Sequence, residues 1–254
     1  MADDKGQGVR TAIITDIHGN REALESVLAD MEQRAVDRVV CLGDIVGYGP
    51  DPGWCVDRMM ALAQAGAVMV KGNHDEAVAN PSAAMNITAR RAIDWTRPLL
   101  SDAQKGFLAG LPLTHRAGDV LYVHASANSP QDWIYVTDTS RAAGSFSVSD
   151  ARVILVGHRH VPDLMSRSID GRITQQRHVV GRPMPLLRTR RWLAVIGAVG
   201  QPRDGVAKAG YAILDEAANE LSFLRVGYDV AKTVAKLRAA GLPESLAVRL
   251  TWGA

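Results

Sequence analysis

The sequence predicts an α/β fold in which two β-sheets pack together with helices on the outside. Two observations lead to this prediction. In the first third of the chain, short β-rich runs alternate with stretches whose apolar residues recur at helical spacing. Beyond residue 163 the pattern changes to strands and turns. Early βαβ units followed by later strands indicate two packed sheets with helices outside them.

The first half contains three predicted strands, at residues 9–15, 38–42 and 67–70. Helices follow them, at roughly residues 23–31 and 53–65 and as two stretches within 82–108. The second half contains strands at 121–124 and 153–156, a turn at Asp170-Gly171 and a hairpin across 216–219. A helix at about 230–240 and a short one after Pro243 complete the pattern. With no linker or internal repeat, we expect a single domain over residues 1–254.

Composition narrows the class of protein. Hydrophobic residues make up 47% of the 254 residues, which is usual for a globular protein with a sizeable core. No apolar run approaches the roughly 18–20 residues that span a bilayer, and the polar N-terminus lacks the apolar core of a secretory signal. Cys41 and Cys55 form no C-x-x-C pair, which favours a reducing compartment and buried thiols. We therefore expect a cytoplasmic protein without a membrane partner.

Charge is distributed unevenly, because residues 1–151 are net acidic and residues 152–254 are net basic. Arginines are concentrated between Arg152 and Arg191. This stretch either attracts an anionic, phosphate-bearing substrate or is a solvated strand face without a partner. Few aromatic residues lie among these arginines, so a nucleic-acid partner is not expected.

Five predicted strands each end in a turn that carries Asp, Asn or His. The segments are D-I-H-G-N at 16–20, G-D at 43–44, G-N-H-D at 72–75, V-H at 123–124 and G-H-R-H at 157–160. Ligands bind at the carboxyl ends of parallel strands, so these segments can converge on one edge. Oxygen and imidazole ligands without thiolates suit Mn, Fe or Zn. The set is larger than one ion needs and fits a pair of metal ions.

The ordered set resembles the calcineurin-like metallophosphoesterase superfamily, whose pattern is D-x-H, G-D, G-N-H-D/E, H and G-H-x-H. The segments D-I-H-G-N-R-E-A-L, G-D-I-V-G-Y-G-P-D-P and V-G-Q-P-R-D are also similar to small bacterial phosphodiesterases of this group. The resemblance covers roughly residues 9–240. It implies a four-layer αββα sandwich of two mixed sheets flanked by helices, with a binuclear metal site at the strand C-terminal ends.

The resemblance also implies a role for each site residue. Asp16, His18 and His160 would hold one metal, Asn73, His124 and His158 the other, and Asp44 would bridge them. A water shared by the two metals would lose a proton near neutral pH and attack the phosphorus. His74 would lie outside the metal shell and protonate the leaving oxygen or stabilise its charge.

The implied activity is hydrolysis of a small phosphodiester or phosphoanhydride, with nucleotide-type substrates included. One alternative is a phosphomonoesterase, possibly a protein Ser/Thr phosphatase. Another, of a different class, is a non-catalytic binding or scaffold module. Since every ligand position is filled, the sequence favours an enzyme. The oligomeric state is not predicted.

Some positions depart from the family's phosphatases or match no block. Phosphoprotein phosphatases continue the second block as G-D-x-V-D-R-G, but Gly47 and Tyr48 stand where the Asp-Arg pair would be. Arg203 or Arg159 either replaces the missing phosphate-gripping arginine or lies at the surface. The segment 128–136, with Trp133 and Tyr135, either forms part of a pocket or only packs. His115 and His178 are expected at surface or packing positions.

Overall fold

The central strands are apolar on both faces, as expected for strands that lie between two layers. In the computed structural model, which describes residues 9–254, neighbouring residues of one strand belong to different cores. Ile13 and Val40 face the core between the two sheets, whereas Ala12, Ile14 and Cys41 face a core beneath helices. The alternation therefore places each sheet between another sheet and a helical layer.

Within residues 9–254, twelve strands form two six-stranded sheets. Their bounds are β1 Arg10–Ile14, β2 Arg38–Cys41, β3 Val68–Met69, β4 Thr114–Ala117, β5 Val120–Val123, β6 Val153–Val156, β7 Asp163–Arg167, β8 Ile173–Gln175, β9 Pro183–Pro185, β10 Arg191–Val195, β11 Ala209–Asp215 and β12 Glu220–Val226. The first sheet has the order β3-β2-β1-β11-β12-β9 and the second β4-β5-β6-β10-β7-β8. Strands β1, β2 and β3 pair in parallel, as do β5, β6 and β10, and other pairs are antiparallel.

In the described part of the chain, eight α-helices surround the sheets, together with 3-10 turns at Arg97–Leu99 and Pro130–Asp132. Their bounds are α1 Arg21–Gln33, α2 Pro52–Gln64, α3 Asn73–Ala79, α4 Ile87–Thr96, α5 Asp102–Gly110, α6 Thr139–Val148, α7 Val230–Ala239 and α8 Glu244–Trp252. Several begin at a side-chain cap: the Asn20 side chain accepts from the amide of Ala23, and Asp229 accepts from Lys232. Helices α1, α2, α3 and α5 contribute to the core on the first sheet, and α6 packs on the second.

The four-layer αββα fold predicted from the sequence is confirmed, with two mixed sheets between helical layers. Both cysteines are buried and free, as predicted. None of the helices in residues 9–254 is long and apolar enough to cross a membrane. The single-domain assignment stays a prediction, and residues 1–8 of it lie outside the described part of the chain.

Three elements were absent from the sequence prediction: β4, α3 and α6. Helix α6 has the sequence T-S-R-A-A-G-S-F-S-V, which is rich in residues of low helix propensity. It forms because Ala142 and Phe146 pack on the second sheet. Helix α3 is only seven residues long and opens with Asn-His-Asp, residues that also favour turns.

Candidate functional site

The structure brings all eight predicted site residues to one region. Asp16 and His18 follow β1, Asp44 follows β2, His124 follows β5, and His158 and His160 follow β6. Asn73 and His74 follow β3 and form the first turn of α3. These strands are the parallel ones, whose carboxyl ends meet at one edge of each sheet. The predicted convergence of the five segments is therefore observed.

Backbone conformation at the site is unusual. Ten non-glycine residues among 9–254 have a positive φ, and five of them are predicted ligands: Asp16, His18, Asp44, His158 and His160. The left-handed conformation costs a residue with a side chain about 1–3 kcal/mol and concentrates at functional sites. The surrounding structure therefore stabilises a backbone that aims these side chains inward.

One group of possible ligands consists of Asp16, His18 and His160, all buried. The Nε2 atoms of His18 and His160 are 3.1 Å apart. Oδ1 of Asp16 lies 3.1 Å from His160 Nε2 and 3.8 Å from His18 Nε2, and it has no hydrogen-bond partner among the described residues. Its other oxygen accepts from the Thr15 hydroxyl and the His158 amide. One oxygen is thus anchored while the other faces the two rings.

A second group consists of Asp44, His124 and His158, and Asp44 also faces the first group. Oδ2 of Asp44 lies 3.4 Å from His124 Nε2 and 3.6 Å from His18 Nε2. Burial raises the pKa of Asp44, but the combined effect of the neighbouring histidines, His124 first, outweighs it and holds the pKa well below the usual range. Asp44 is therefore an ionised carboxylate between two sets of imidazoles.

Asn73 lies beside the second group, because the residues on both sides of it in the chain contact Asp44. The adjoining Gly72 lies so close to Asp44 that a Cβ there would overlap its carboxylate. On the other side, the amide of His74 donates to Asp44 Oδ1 at 2.8 Å. Oδ1 of Asn73 is buried without a hydrogen-bond partner among the described residues, which leaves it free to bind a cation.

The histidine tautomers test whether this site fits metal ions. Nδ1 of His18, His124 and His160 contacts the carbonyl oxygens of Val46, Leu42 and Gln201 at 3.0, 2.8 and 2.6 Å. A carbonyl only accepts, so Nδ1 carries the proton and donates it. The Nε2 lone pairs of His18 and His160 then face each other, which is unfavourable unless a cation or proton lies between them. Metal-binding histidines have this same second hydrogen bond, so the residues fit the predicted metals.

His74 occupies a different position from the other histidines. Its ring centroid lies 4.8 Å from that of His18 and 4.5 Å from that of Tyr48, and its Nδ1 is buried without a partner among residues 9–254. Burial lowers its pKa to about 4 in the metal-free protein. A Cβ at Gly47 would overlap this nitrogen, so glycine at 47 makes room for the His74 ring.

Comparison with known proteins identifies the family. The calcineurin-like phosphoesterase superfamily domain matches residues 9–219. The chain belongs to the calcineurin-like phosphoesterase superfamily. Its members are hydrolases that act on phosphate esters, so this chain is a metallophosphoesterase, and the predicted family and enzyme class are confirmed.

Individual relatives resemble the chain along most of its length. An uncharacterized protein from Methanocaldococcus jannaschii is 35% identical over 248 residues, covering 95% of this chain and 97% of the relative. The crystal structure of a metallophosphoesterase from Sphaerobacter thermophilus is 38% identical with a TM-score of 0.85, covering 98% of this chain and 100% of that one. A hypothetical protein from Pyrococcus horikoshii shares the fold, with 20% identity, a TM-score of 0.78 and coverage of 97% and 99%.

Asp75 contributes to the candidate site although no role was predicted for it. Its buried carboxylate accepts from the amides of Asp44, Ile45 and Gly72 at 2.8–3.0 Å. Asp75 therefore holds the loop that presents Asp44 against the start of α3. The residue belongs to the G-N-H-D segment, but only the folded chain shows that two of these partners, Asp44 and Ile45, lie about thirty residues earlier.

The two candidate arginines differ in their surroundings. Arg159 donates to Asp163 at 2.8 Å, so its charge is already compensated. Arg203 donates from Nη2 and Nε to Oε1 of Gln201, at 2.7 and 3.2 Å, and no carboxylate in residues 9–254 forms an ion pair with it. Its Cζ lies 5.7 Å from the Tyr48 ring, and its charge contributes to the lowered pKa of His74. Arg203 is therefore an uncompensated cation beside the site.

Aromatic side chains contact the ligands of the second group. The Tyr135 ring stacks on His158 with centroids 3.9 Å apart, and the Trp133 ring meets His124 edge-on at 5.9 Å. Segment 128–136 therefore lies against the site, which agrees with the interpretation that it forms part of a pocket. His115 and His178 are outside the site, near Tyr122 and Phe223, as expected.

Proposed function

We propose that this metallophosphoesterase hydrolyses a small phosphodiester or phosphoanhydride. The observation that carries the proposal is the arrangement around Asp44: one ionised carboxylate faces two groups of buried ligands. In the proposal Asp16, His18 and His160 hold one metal, Asn73, His124 and His158 hold the other, and Asp44 is shared. When bound, two such cations activate water and neutralise negative charge on a phosphate.

The residues of the chain supply the other parts of the reaction. Arg203 binds a phosphate oxygen with the guanidinium hydrogens that Gln201 leaves free, because a charge held by a neutral amide stays available to an anion. His74 stabilises the negative charge of the leaving oxygen as the phosphorus–oxygen bond breaks, or donates a proton to it once the bound phosphate anion has raised the pKa of the ring. Water contributes the oxygen that replaces the leaving group.

The charge at the site favours a diester over a monoester. A phosphomonoester carries about 1.5–2 negative charges at neutral pH, whereas a diester carries one. Tyr48 stands where phosphoprotein phosphatases have their phosphate-gripping arginine, and it packs against His18 and His74 instead. Arg203 is the uncompensated side-chain cation beside the site. Its single positive charge matches the single negative charge of a diester better than the larger charge of a monoester.

Metal identity and cellular location belong to the same proposal. Imidazole and carboxylate ligands without thiolates favour Mn, Fe or Zn. Burial raises the pKa of the Cys55 thiol well above its ordinary value, and Cys41 is equally buried, so neither thiol is readily oxidised. Both cysteines are free, which fits a reducing compartment, and the proposal therefore includes a cytoplasmic location.

The experiment compares bis(4-nitrophenyl) phosphate with 4-nitrophenyl phosphate. The protein is loaded with Mn²⁺, and the assay is repeated after chelation with metal loss confirmed by elemental analysis. We expect a higher kcat/KM for the diester and loss of activity without metal. A preference for the monoester would indicate a phosphomonoesterase. Activity that persists in metal-free protein would exclude the proposed site, and no turnover of either ester would favour a non-catalytic module.

A further inference from the structure

A groove of about 470 Å³ adjoins the proposed metal site, and the phosphate chemistry leaves it without a role. It begins at Asn73, a proposed metal ligand and the first residue of α3, and extends along this helix to Asn80, which follows its last residue. Trp133 forms the opposite side, and the same ring contacts His124. A group bound in the groove would therefore lie beside the phosphate, and the volume is typical of small-molecule pockets.

The lining suits a flat and partly apolar group. Ala83, Ala84 and Leu113 provide apolar surface, and the indole of Trp133 offers an aromatic face that is only half-buried. Aromatic side chains bind flat rings by stacking. The amides of Asn80 and Gln131 add hydrogen-bond donors and acceptors at the rim. These are the features of a pocket for an aromatic ring with polar edges.

The charges of the lining disfavour a second anionic group. Lys71 is largely buried and pairs with Glu76, with Nζ and Oε2 3.1 Å apart, so its positive charge is compensated. Asp132 forms no ion pair within residues 9–254 and adds negative charge. A further phosphate would meet net negative charge here, whereas an uncharged ring would not.

The position of Trp133 is fixed by its own backbone. Ser129 and Trp133 both have left-handed φ values, 55° and 52°, on either side of the 3-10 turn Pro130–Asp132. Pro130 restricts the turn further. The amide of Ser126 also donates to the carbonyl of Ile134, which ties the end of the segment to the residues after β5. These strained backbone conformations are stabilised by the surrounding structure, so the Trp133 ring lies at the groove before any substrate binds.

We propose that this groove binds an uncharged aromatic substituent of the substrate, of the nucleobase class, and that Trp133 stacks on it. The proposal rests on the proposed phosphoesterase activity and specifies its substrate: a phosphodiester with one substituent that carries a flat ring. Asn80 and Gln131 contact the polar edge of that ring.

The test uses two esters with the same charge and the same leaving group. They are thymidine 5′-(4-nitrophenyl) phosphate and methyl 4-nitrophenyl phosphate, and the readout is the ratio of their kcat/KM values. We expect the wild type to prefer the thymidine ester and Trp133→Ala to reduce the ratio about tenfold, the usual loss for one stacked base. Ala84→Trp, which fills the groove, should reduce the ratio as well.

Trp54→Ala is the matched control. Trp54 lines a groove of similar size, about 490 Å³, between α1 and α2, and none of the proposed ligands borders it. This variant should leave the ratio unchanged. The proposal is overturned if Trp133→Ala leaves the ratio at the wild-type value, or if Trp54→Ala lowers it equally.

A binding measurement separates this proposal from the proposed function. Titration calorimetry with thymidine on metal-free protein should show saturable binding to the wild type and about tenfold weaker binding to Trp133→Ala. If neither ester is hydrolysed by metal-loaded protein, the proposed activity fails while this measurement still tests the groove. Equal binding of thymidine to the wild type and to Trp133→Ala would overturn the proposal that the groove binds the ring, even if both esters are hydrolysed.

Discussion

At the scale of single residues, backbone carbonyls orient three of the proposed imidazole ligands. His18, His124 and His160 each direct Nδ1 at a carbonyl, which fixes both the ring rotation and the nitrogen that faces inward. A carbonyl orients the ring without adding a negative charge to the site. The acidic charges next to the rings are then mainly Asp16 and Asp44, whose oxygens face the imidazoles.

His74→Ala should retain both metals and lose turnover. In the proposal His74 binds no metal, and removing a general acid typically lowers the rate by about 10²–10⁴-fold. Metal content by elemental analysis and kcat with a bis-aryl phosphate measure the two expectations. Retention of activity within about threefold would exclude the catalytic role. Loss of metal from the variant would place His74 among the ligands instead.

Arg203→Ala should weaken phosphate binding, whereas Arg159→Ala should not. A charge-assisted hydrogen bond contributes about 1.5–3 kcal/mol, so the inhibition constant for inorganic phosphate should rise about 10–100-fold in Arg203→Ala. Arg159 is the matched control because Asp163 already compensates its charge. Arg203→Lys should recover only part of the affinity, because an ammonium lacks the planar fork. Equal effects of Arg159→Ala and Arg203→Ala would contradict the assignment.

At the scale of elements, the C-terminal helix α7 is attached to α1 by a buried acid. Glu22 accepts from Lys236 Nζ at 2.6 Å and from the Thr233 hydroxyl at 3.2 Å. Lys236 also donates to Asp51, the residue before α2, at 2.8 Å. Burial raises the pKa of Glu22, but the hydrogen bonds from Lys236 and Lys232, the charge of Lys236 and a backbone hydrogen bond together outweigh that effect, so the pKa lies below its ordinary value. This contact joins the last part of the chain to the first βα unit.

Glu22→Gln should reduce the free energy of unfolding by about 1–2 kcal/mol at pH 7, because it removes the charge that Lys236 pairs with. A carboxyl whose pKa is lowered by folding stabilises the protein above its unfolded pKa and loses this effect as the pH falls through the folded value. The difference between wild type and variant should therefore shrink below about pH 4. Denaturant unfolding of both proteins at several pH values measures this difference in the free energy of unfolding.

Glu25→Gln is the control for that experiment. Glu25 lies on the same helix and pairs with Arg21 four residues away, but its side chain is 42% exposed. Exposed pairs of this kind contribute less than about 0.5 kcal/mol. If Glu25→Gln destabilised the protein as much as Glu22→Gln, the attachment of α7 through Glu22 would not be the cause.

At the scale of the whole molecule, the proposed site lies between the two sheets. Asp16 and Asp44 follow strands of the first sheet, and His124 and His158 follow strands of the second. Direct hydrogen bonds already cross between them: the His158 amide donates to Asp16, and His124 donates to the Leu42 carbonyl. Two cations held there would connect the sheets at one edge, in addition to the apolar core between them.

The sequence predicted this architecture because its strongest signals are local. Each proposed ligand lies in a short polar segment directly after an apolar strand, so order along the chain was sufficient to find Asp16 or His160. The contribution of Asp75 depends on contacts with the loop after β2, and the choice between Arg203 and Arg159 depends on which arginine is paired. Helix α6 was missed because packing on the second sheet, rather than its own propensity, stabilises it.

Because the proposed site lies between the two sheets, metal removal should lower the stability of the whole protein. Ions that bind only the folded state stabilise it by RT ln(1 + [L]/Kd), about 2.7 kcal/mol at a hundred times Kd. For a chain of this size, adding Mn²⁺ to chelated protein should raise the midpoint of thermal unfolding by about 5–10 °C. Asp44→Asn should reduce this increase sharply, since Asp44 faces both ligand groups, while the exposed Asp102→Asn should preserve it. If Mn²⁺ binds the wild type, as shown by elemental analysis, without changing the midpoint, the proposed connection between the sheets is wrong.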